Sequence, residues 1–155
     1  MTAAIDPLLP QLASAAAHTH ALGFVFDGRI EERVRLRVPY RDDLVGDPKS
    51  GVLSGGLVTT LLDHVGGLAV WTALDAFEPI ATLDLRVDYM RAAEPGRDLI
   101  AEARCYRVTP SIAFVRAWAF DATVEDPVAA AQSTYIRTRD GGDRLGANLR
   151  TRDGR

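Results

Sequence analysis

The most constraining feature of the chain is a long apolar segment that begins at two adjacent glycines. The run from Gly55 to about Ala76 is predicted to form one α-helix with apolar residues nearly all round its axis. Such a helix must be buried on most sides, and a sheet is the simplest element that can cover it. Asp63 and His64 interrupt the run before it reaches the ~18 apolar residues of a membrane span, so we interpret it as a core helix.

Alternating and apolar runs predict the strands of that sheet. The segment Arg33–Val38 alternates strictly, with aliphatic side chains on one face and a row of arginines on the other. That row is either a solvated sheet face or a ligand patch. A preceding strand over Phe24–Arg29, with Asp27-Gly28 as the turn, completes a predicted hairpin. Four more strands are predicted after the helix: Thr82–Tyr89, Leu99–Val108, Ile112–Phe120 and Val128–Arg137.

Short turns between these later strands, such as the one at Glu94-Pro95-Gly96, predict antiparallel pairing of successive strands. The predicted class is therefore α+β, with a curved antiparallel sheet wrapped around one long central helix. We divide the 155 residues into an N-terminal helical segment (1–22, with a helix over Pro7–Leu22), one domain (23–138) and a Gly-, Arg- and Asp-rich tail (139–155) that we expect to be disordered.

Composition excludes several classes of function. The net charge of −3 gives no support for nucleic-acid binding, which relies on clustered basic residues. The single cysteine, Cys105, excludes an internal disulfide and a cysteine-rich zinc site. There is no signal-peptide pattern, so we expect a cytoplasmic protein with no membrane partner, no metal and no cofactor.

The start of the long helix carries the chemistry. Free N–H groups at a helix N-terminus can hold an oxyanion, and Gly55 and Gly56 stand at this start. Asp63 lies about two turns further along, and a carboxylate in an apolar helix costs free energy unless it is paired or used. Together they indicate acyl-transfer chemistry, with amides for a carbonyl oxygen and a base or nucleophile for its carbon.

The motif around these residues resembles a known family. The run D-P-K-S-G-V-L-S-G-G spans Asp47–Gly56, and Asp63 follows Ser54 by nine residues. With L-D-L-R-V-D-Y-M (Leu83–Met90) and S-I-A-F-V-R-A-W-A (Ser111–Ala119), it is similar to the hotdog-fold acyl-CoA thioesterases of the phenylacetate-degradation type. The resemblance covers roughly residues 24–138. This chain departs from the family pattern at two positions, where Ser54 replaces a His and Asp47 replaces an Asn.

The resemblance implies roles for several residues. Asp63 would be the general base or nucleophile, Gly56 together with Gly55 would supply the oxyanion-hole amide, and Thr82 would hold the attacking water. The structural alternatives are a core carboxylate satisfied by Thr59 or Thr60, glycines that only permit close helix–sheet packing, and an ordinary strand threonine. The residues expected to contact the substrate are Asp47, Ser54, Arg91, Arg107 and Ser111. For the arginines, the alternative is an ordinary surface role.

The predicted function is hydrolysis of a small to medium acyl-CoA, aromatic acyl groups included. The family builds its site between subunits, so we expect a homodimer or homotetramer. Ser54 and Asp47 favour the alternative of a non-catalytic acyl-CoA or acyl-ligand binding protein. A third alternative is a hotdog hydratase, which the position of His64 weakens. Neighbouring helix positions point about 100° apart, so His64 is predicted to support the site or an interface rather than to act beside Asp63.

Overall fold

The computed structural model describes residues 4–137. The predicted C-terminal tail (139–155) lies outside the described residues, and the domain limits stay a prediction. The N-terminal segment contains a 3-10 turn (Asp6–Leu8) and two short helices, α1 (Leu9–Leu12) and α2 (Ala17–Leu22). The predicted single N-terminal helix is thus wrong, because Ala16 is extended and separates α1 from α2.

The central helix α3 spans Gly55–Leu74 and ends two residues before the predicted limit. Ser54 caps its N-terminus, and Asp75 ends it in a left-handed conformation with φ of 50°. By length and composition α3 could cross a membrane, yet half of that apolar stretch is buried inside the fold.

That sheet has six antiparallel strands in the order β1-β2-β6-β7-β8-β5. Helix α3 packs against β2, β5, β6, β7 and β8, which confirms the predicted α+β hotdog arrangement. The strands are β1 (Val25–Ile30), β2 (Arg33–Val38), β5 (Ile80–Tyr89), β6 (Leu99–Val108), β7 (Ile112–Phe120) and β8 (Ala129–Arg137). The loop before α3 holds a 3-10 turn (Asp42–Leu44) and a small pair of strands, β3 (Val45–Asp47) and β4 (Val52–Leu53).

The hairpin of β1 and β2 forms, but its turn is not where the sequence signal placed it. Asp27 and Gly28 lie inside β1, where a bulge falls between Phe26 and Gly28. Gly28 there has a φ of +105°, which a residue with a side chain rarely adopts. The chain instead reverses at Glu31, whose φ is +55°. The Asp-Gly pair marked a bulge rather than a turn.

The strands β5 and β6 are not neighbours, contrary to the prediction. Strand β5 pairs with β8, and the connection to β6 crosses the ends of β8 and β7. Met90 N–H donates to Val128 O at 2.9 Å, and Arg91 forms an ion pair with Asp121 that anchors the crossing chain. The Glu94-Pro95-Gly96 turn lies within this connection. As a result β5 is an edge strand.

The arginine row of β2 forms a layer of ion pairs over the outer sheet face. Arg33 and Arg35 both bind Glu102, which is only 2% exposed, while Arg37 binds Asp98 at 2.8 Å. A buried carboxylate needs such partners. The row is thus half-buried and paired, rather than simply solvated as one alternative had it.

Candidate active site

The Asp63 carboxylate is half-buried on α3 and faces the edge strand β5. Thr82 Oγ1 donates a hydrogen bond to Asp63 Oδ1 at 2.8 Å. Thr59 and Thr60 do not satisfy this carboxylate, because their hydroxyls donate to helix carbonyls at Gly55 (3.2 Å) and Gly56 (2.8 Å). The structure therefore brings the predicted pair Asp63 and Thr82 together and excludes the Thr59/Thr60 alternative.

Tyr135 of β8 is a second partner of Asp63, and the sequence analysis missed it. Its hydroxyl donates to the backbone carbonyl of Asp63 at 2.7 Å and lies 3.4 Å from Oδ1. Tyr135 is 2% exposed, and burial together with the Asp63 charge raises the pKa of its phenol. Tyr135 and Thr82 are register partners on adjacent strands. Asp63 thus accepts hydrogen bonds from the hydroxyls of two paired residues on adjacent strands.

A small cavity surrounds this cluster. It measures about 190 Å³, below the ~300 Å³ at which ligand pockets begin. Its lining residues combine the polar cluster with aromatic and aliphatic groups: Asp63, His64, Gly67, Trp71, Ile80, Ala81, Thr82 and Tyr135. Because β5 is an edge strand, Thr82 places this cavity beside a free sheet edge.

The helix start lies in a second cavity of about 380 Å³. The two cavities have no lining residue in common among the described residues. In the second one, the Gly56 N–H donates to Ser54 Oγ at 3.2 Å. Ser54 is therefore the N-cap of α3, and its hydroxyl accepts from the Gly56 amide that is expected to hold an oxyanion. The lining residues are His18, Leu22, Asp43, Leu44, Val45, Ser54, Gly56, Leu57 and Thr60.

Gly55 and Asp47 lie near this helix start without lining the cavity. The Gly55 carbonyl accepts from Tyr89 Oη at 2.7 Å, so Tyr89 ties the end of β5 to the first turn of α3. Asp47 accepts from Ser50 Oγ at 2.6 Å and from Lys49 N–H at 3.0 Å. These bonds lower the pKa of Asp47, which is fixed as an acceptor in its own turn.

The remaining predicted substrate contacts lie away from Asp63. Arg91 is bound to Asp121 and Asp126, and the Asp121 carboxylate raises its pKa. Arg107 is exposed near the end of β6, and Ser111 is exposed in the β6–β7 turn. None of the three lines either cavity.

His64 supports the fold beside the site. Its Nε2 lies 2.9 Å from Ala13 O and 3.2 Å from Leu12 O, and because carbonyls only accept, Nε2 must carry a proton. Its ring also packs on Phe24, with 5.8 Å between centroids. Burial lowers the pKa of His64. His64 is thus bound to the N-terminal segment rather than to Asp63.

Comparisons with known proteins agree with this arrangement. Residues 50–128 match the family model of the thioesterase superfamily. A crystal structure of a Pseudomonas aeruginosa protein is 39% identical, with a TM-score of 0.76, and covers 83% of this chain and 96% of its own. A mutant of the phenylacetic acid degradation protein PaaI from Thermus thermophilus, at 24% identity, shares the fold with a TM-score of 0.67, over 79% of this chain and all of its own.

A Halobacterium salinarum protein named as a candidate esterase is 39% identical over 94 residues. That alignment covers 59% of this chain, and the chain spans 61% of the length of that relative. The family model covers the helix start, all of α3, β5, β6 and β7, and therefore both Asp63 and Thr82. On this match and this fold, the chain belongs to the thioesterase superfamily.

Proposed function

We propose that the protein hydrolyses the thioester of small to medium acyl-CoA molecules, aromatic acyl groups included. The observation that carries the proposal is the Asp63 carboxylate, which Thr82 holds at 2.8 Å in a cavity beside the sheet edge of a thioesterase-superfamily chain. The acyl range rests on the resemblance of the Asp47–Gly56 motif to phenylacetate-degradation-type thioesterases. A cytoplasmic location is part of the proposal.

Asp63 is the proposed base or nucleophile. As a base, its carboxylate takes a proton from water while the water oxygen attacks the thioester carbon. The tetrahedral intermediate then collapses to the free carboxylic acid and expels the coenzyme A thiolate. The thiolate takes the proton from Asp63, which restores the carboxylate. Thr82 already occupies Oδ1, so Oδ2 is the oxygen available to the water or to the carbon itself. In the base route, Thr82 also fixes the direction from which water approaches.

The Gly56 amide, assisted by Gly55, is the proposed oxyanion hole. A backbone N–H at a helix start stabilises the negative oxygen of the intermediate through its partial positive charge. The Ser54 hydroxyl now accepts from this N–H at 3.2 Å. There are two ways for an oxyanion to bind here. Ser54 Oγ can rotate away and leave the Gly56 N–H to the oxyanion, or it can stay in place and donate its own proton to the oxyanion.

A second copy of the chain completes the proposed site. The Asp63 cavity is too small for an acyl-CoA alone, and it shares no lining residue with the Gly56 cavity of the same chain in the described region. Strand β5 offers an open edge beside Asp63. Leu83 on this strand is 52% exposed, and Met90, the residue after the strand, is 58% exposed. Edge-to-edge pairing of two chains would cover these groups and wall the cavity. A homodimer, or a homotetramer built from it, is the proposed assembly.

The predicted residues that are exposed are the proposed contacts of coenzyme A. Arg107 and Ser111 are free to meet phosphate oxygens at the β6–β7 end of the sheet. Arg91 would have to leave Asp121 to do so, and Asp47 and Ser54 are assigned to the loop that leads to the oxyanion hole.

Thiol release tests the proposal. Wild-type protein is assayed with short, medium, long and aromatic acyl-CoAs and a thiol-reactive dye. Asp63→Asn keeps the shape of the carboxylate but removes its basicity, so kcat should fall by several orders of magnitude while binding survives. Glu125→Gln, an exposed carboxylate between β7 and β8, is the matched control and should keep full activity. Absence of thiol release by the wild type from every substrate would refute hydrolysis.

The second candidate is a non-catalytic acyl-CoA binding protein. The Ser54 hydroxyl on the Gly56 N–H favours it, because a capped amide is not free to bind an oxyanion. Calorimetric titration with a non-hydrolysable acyl-CoA thioether separates the two readings. The binding protein would bind the thioether, release no thiol from the thioesters, and bind as tightly after Asp63→Asn.

A further inference from the structure

The contact between β8 and α3 at Tyr135 is unusually close. Tyr135 reaches the carbonyl of Asp63 at 2.7 Å, and its ring lies against the next turn of the helix at Gly66. A Cβ atom at Gly66 would overlap the Tyr135 hydroxyl and lie 3.1 Å from its Cζ. Gly66 therefore leaves the space that this hydroxyl fills.

We infer that Tyr135 is a positioning residue for Asp63, and that Gly66 is required to admit it. The inference rests on the proposed function and extends it to two residues that the sequence motif does not contain. Tyr135 lines the Asp63 cavity, but its hydroxyl is bonded to the backbone of Asp63. It acts through the backbone carbonyl of Asp63, and so through the turn of α3 that carries the carboxylate.

The register between β5 and β8 places two hydroxyl groups against Asp63. Thr82 and Tyr135 are directly opposed on β5 and β8, and each gives a hydroxyl to the same helix residue. One bond fixes the Asp63 side chain and the other fixes its backbone. Without the second bond, α3 can rotate or shift slightly against the sheet. A shift of ~1 Å at reacting groups can cost about a hundredfold in rate.

The environment keeps Tyr135 a donor. Desolvation, together with the negative charge of Asp63, raises the pKa of its phenol, so the hydroxyl keeps its proton across the working range of an enzyme. Cys105 also raises the pKa of Tyr135, and burial lowers the pKa of His64 on α3, whose ring is bound to Ala13. A permanent proton suits a positioning bond and excludes a role as base.

The first test is Tyr135→Phe, which removes only the hydroxyl. We expect kcat for the best acyl-CoA to fall about tenfold, the usual effect of one such hydrogen bond, with KM within a factor of about two. Thr72→Val is the matched control, since Thr72 Oγ1 donates to the Leu68 carbonyl on the same helix at 2.9 Å. It removes an equivalent hydroxyl far from Asp63 and should keep kcat.

The second test uses Gly66. Gly66→Ala should displace the hydroxyl, lowering both kcat and the melting temperature. In the double variant Gly66→Ala/Tyr135→Phe the worst overlap is gone, so the melting temperature should recover in part while kcat stays low. Recovery of kcat in the double variant, which has no Tyr135 hydroxyl, would mean that turnover does not need this hydroxyl and would overturn the positioning role.

The outcomes separate this inference from the proposed function. Wild-type turnover that Tyr135→Phe leaves unchanged would overturn the positioning role and leave hydrolysis standing. No wild-type turnover would overturn both. The ¹³C resonance of the Asp63 carbonyl reports the bond without any turnover: loss of the Tyr135 donor should move it upfield, whereas Thr72→Val should not. An unmoved resonance would refute the Tyr135–Asp63 contact itself.

Discussion

Thr82 Oγ1 donates to Asp63 Oδ1 at 2.8 Å, and this bond joins the edge strand of the sheet to the central helix at the proposed site. The bond engages Oδ1, and the other carboxylate oxygen, Oδ2, accepts no hydrogen bond within the described residues. The bond also depends on β5 lying beside β8, since Thr82 reaches Asp63 from the rung it shares with Tyr135.

Removal of the Thr82 hydroxyl is expected to slow turnover without unfolding the protein. Thr82→Val keeps the branched shape of an exposed strand residue, so stability should change little, whereas kcat should fall about tenfold as the carboxylate loses its orientation. Thr82→Ser retains the hydroxyl and should keep most of the activity. Full activity in Thr82→Val together with a loss in Thr82→Ser would show that the methyl group, not the hydrogen bond, matters.

The sequence predicts a strand well where a clear alternating or apolar pattern marks it. The strict alternation of Arg33–Val38 and the apolar runs of β6 and β7 give strands with the observed limits. The pairing of β5 could not be predicted in the same way. A Pro-Gly turn is a local signal, whereas the crossing to β6 depends on the Arg91–Asp121 ion pair and on bonds to Val128, which join residues about 30 or more positions apart.

The crossing connection should make stability depend on acid. The Asp121 side chain is 3% exposed, and its bond with Arg91 lowers its pKa to about 2, against ~3.9 for an unfolded chain. The folded state thus favours the charged form. This contribution is fully present above pH ~4 and is lost as the pH falls through about 2, and it amounts to about 2 to 3 kcal/mol.

Asp121→Asn should therefore lower the free energy of unfolding at pH 7 by that amount, and its deficit should shrink between pH 4 and pH 2. Urea denaturation at several pH values measures both effects. Asp88→Asn, which removes an exposed partner of Arg86, is the control and should show little change. A deficit that stays constant with pH would contradict the ionic origin of the effect.

The edge of β5 is expected to be the dimer contact. Leu83 lies at the bulge between Thr82 and Asp84, is 52% exposed, and a Lys there should oppose edge pairing. We expect Leu83→Lys to run as a monomer in size-exclusion chromatography with light scattering and to lose activity although Asp63 and Thr82 are intact. Leu8→Lys, an equally simple change at an exposed N-terminal leucine, should do neither. An active monomer would contradict the shared site.

The candidate site likewise contains residues that a local motif predicts and a residue that only strand pairing brings there. Asp63, Thr82 and the helix start were predictable, because a motif and a helix boundary mark them. Tyr135 lies 72 residues from Asp63, and only the register of β5 with β8 brings it there. One signal was present: the inward side chains of β8 change from Ala129 and Ala131 to the hydroxyls of Ser133 and Tyr135. A hydroxyl buried under an apolar helix needs a partner.

Ser54 gives the sharpest test of whether the helix start holds an oxyanion. Its hydroxyl accepts from Gly56 N–H at 3.2 Å, so it stabilises the helix and competes for the same amide. Ser54→Ala should lower the free energy of unfolding by about 1 kcal/mol through loss of the cap. It should keep or raise kcat, because the N–H becomes available to the intermediate.

Ser54→His, which introduces the residue that the resemblance places here, should likewise keep or raise activity. Denaturation and thiol-release assays on the same preparations separate the two effects. A large fall in kcat for both variants would mean that the serine hydroxyl donates to the oxyanion itself, and that the Gly56 amide is not the principal donor.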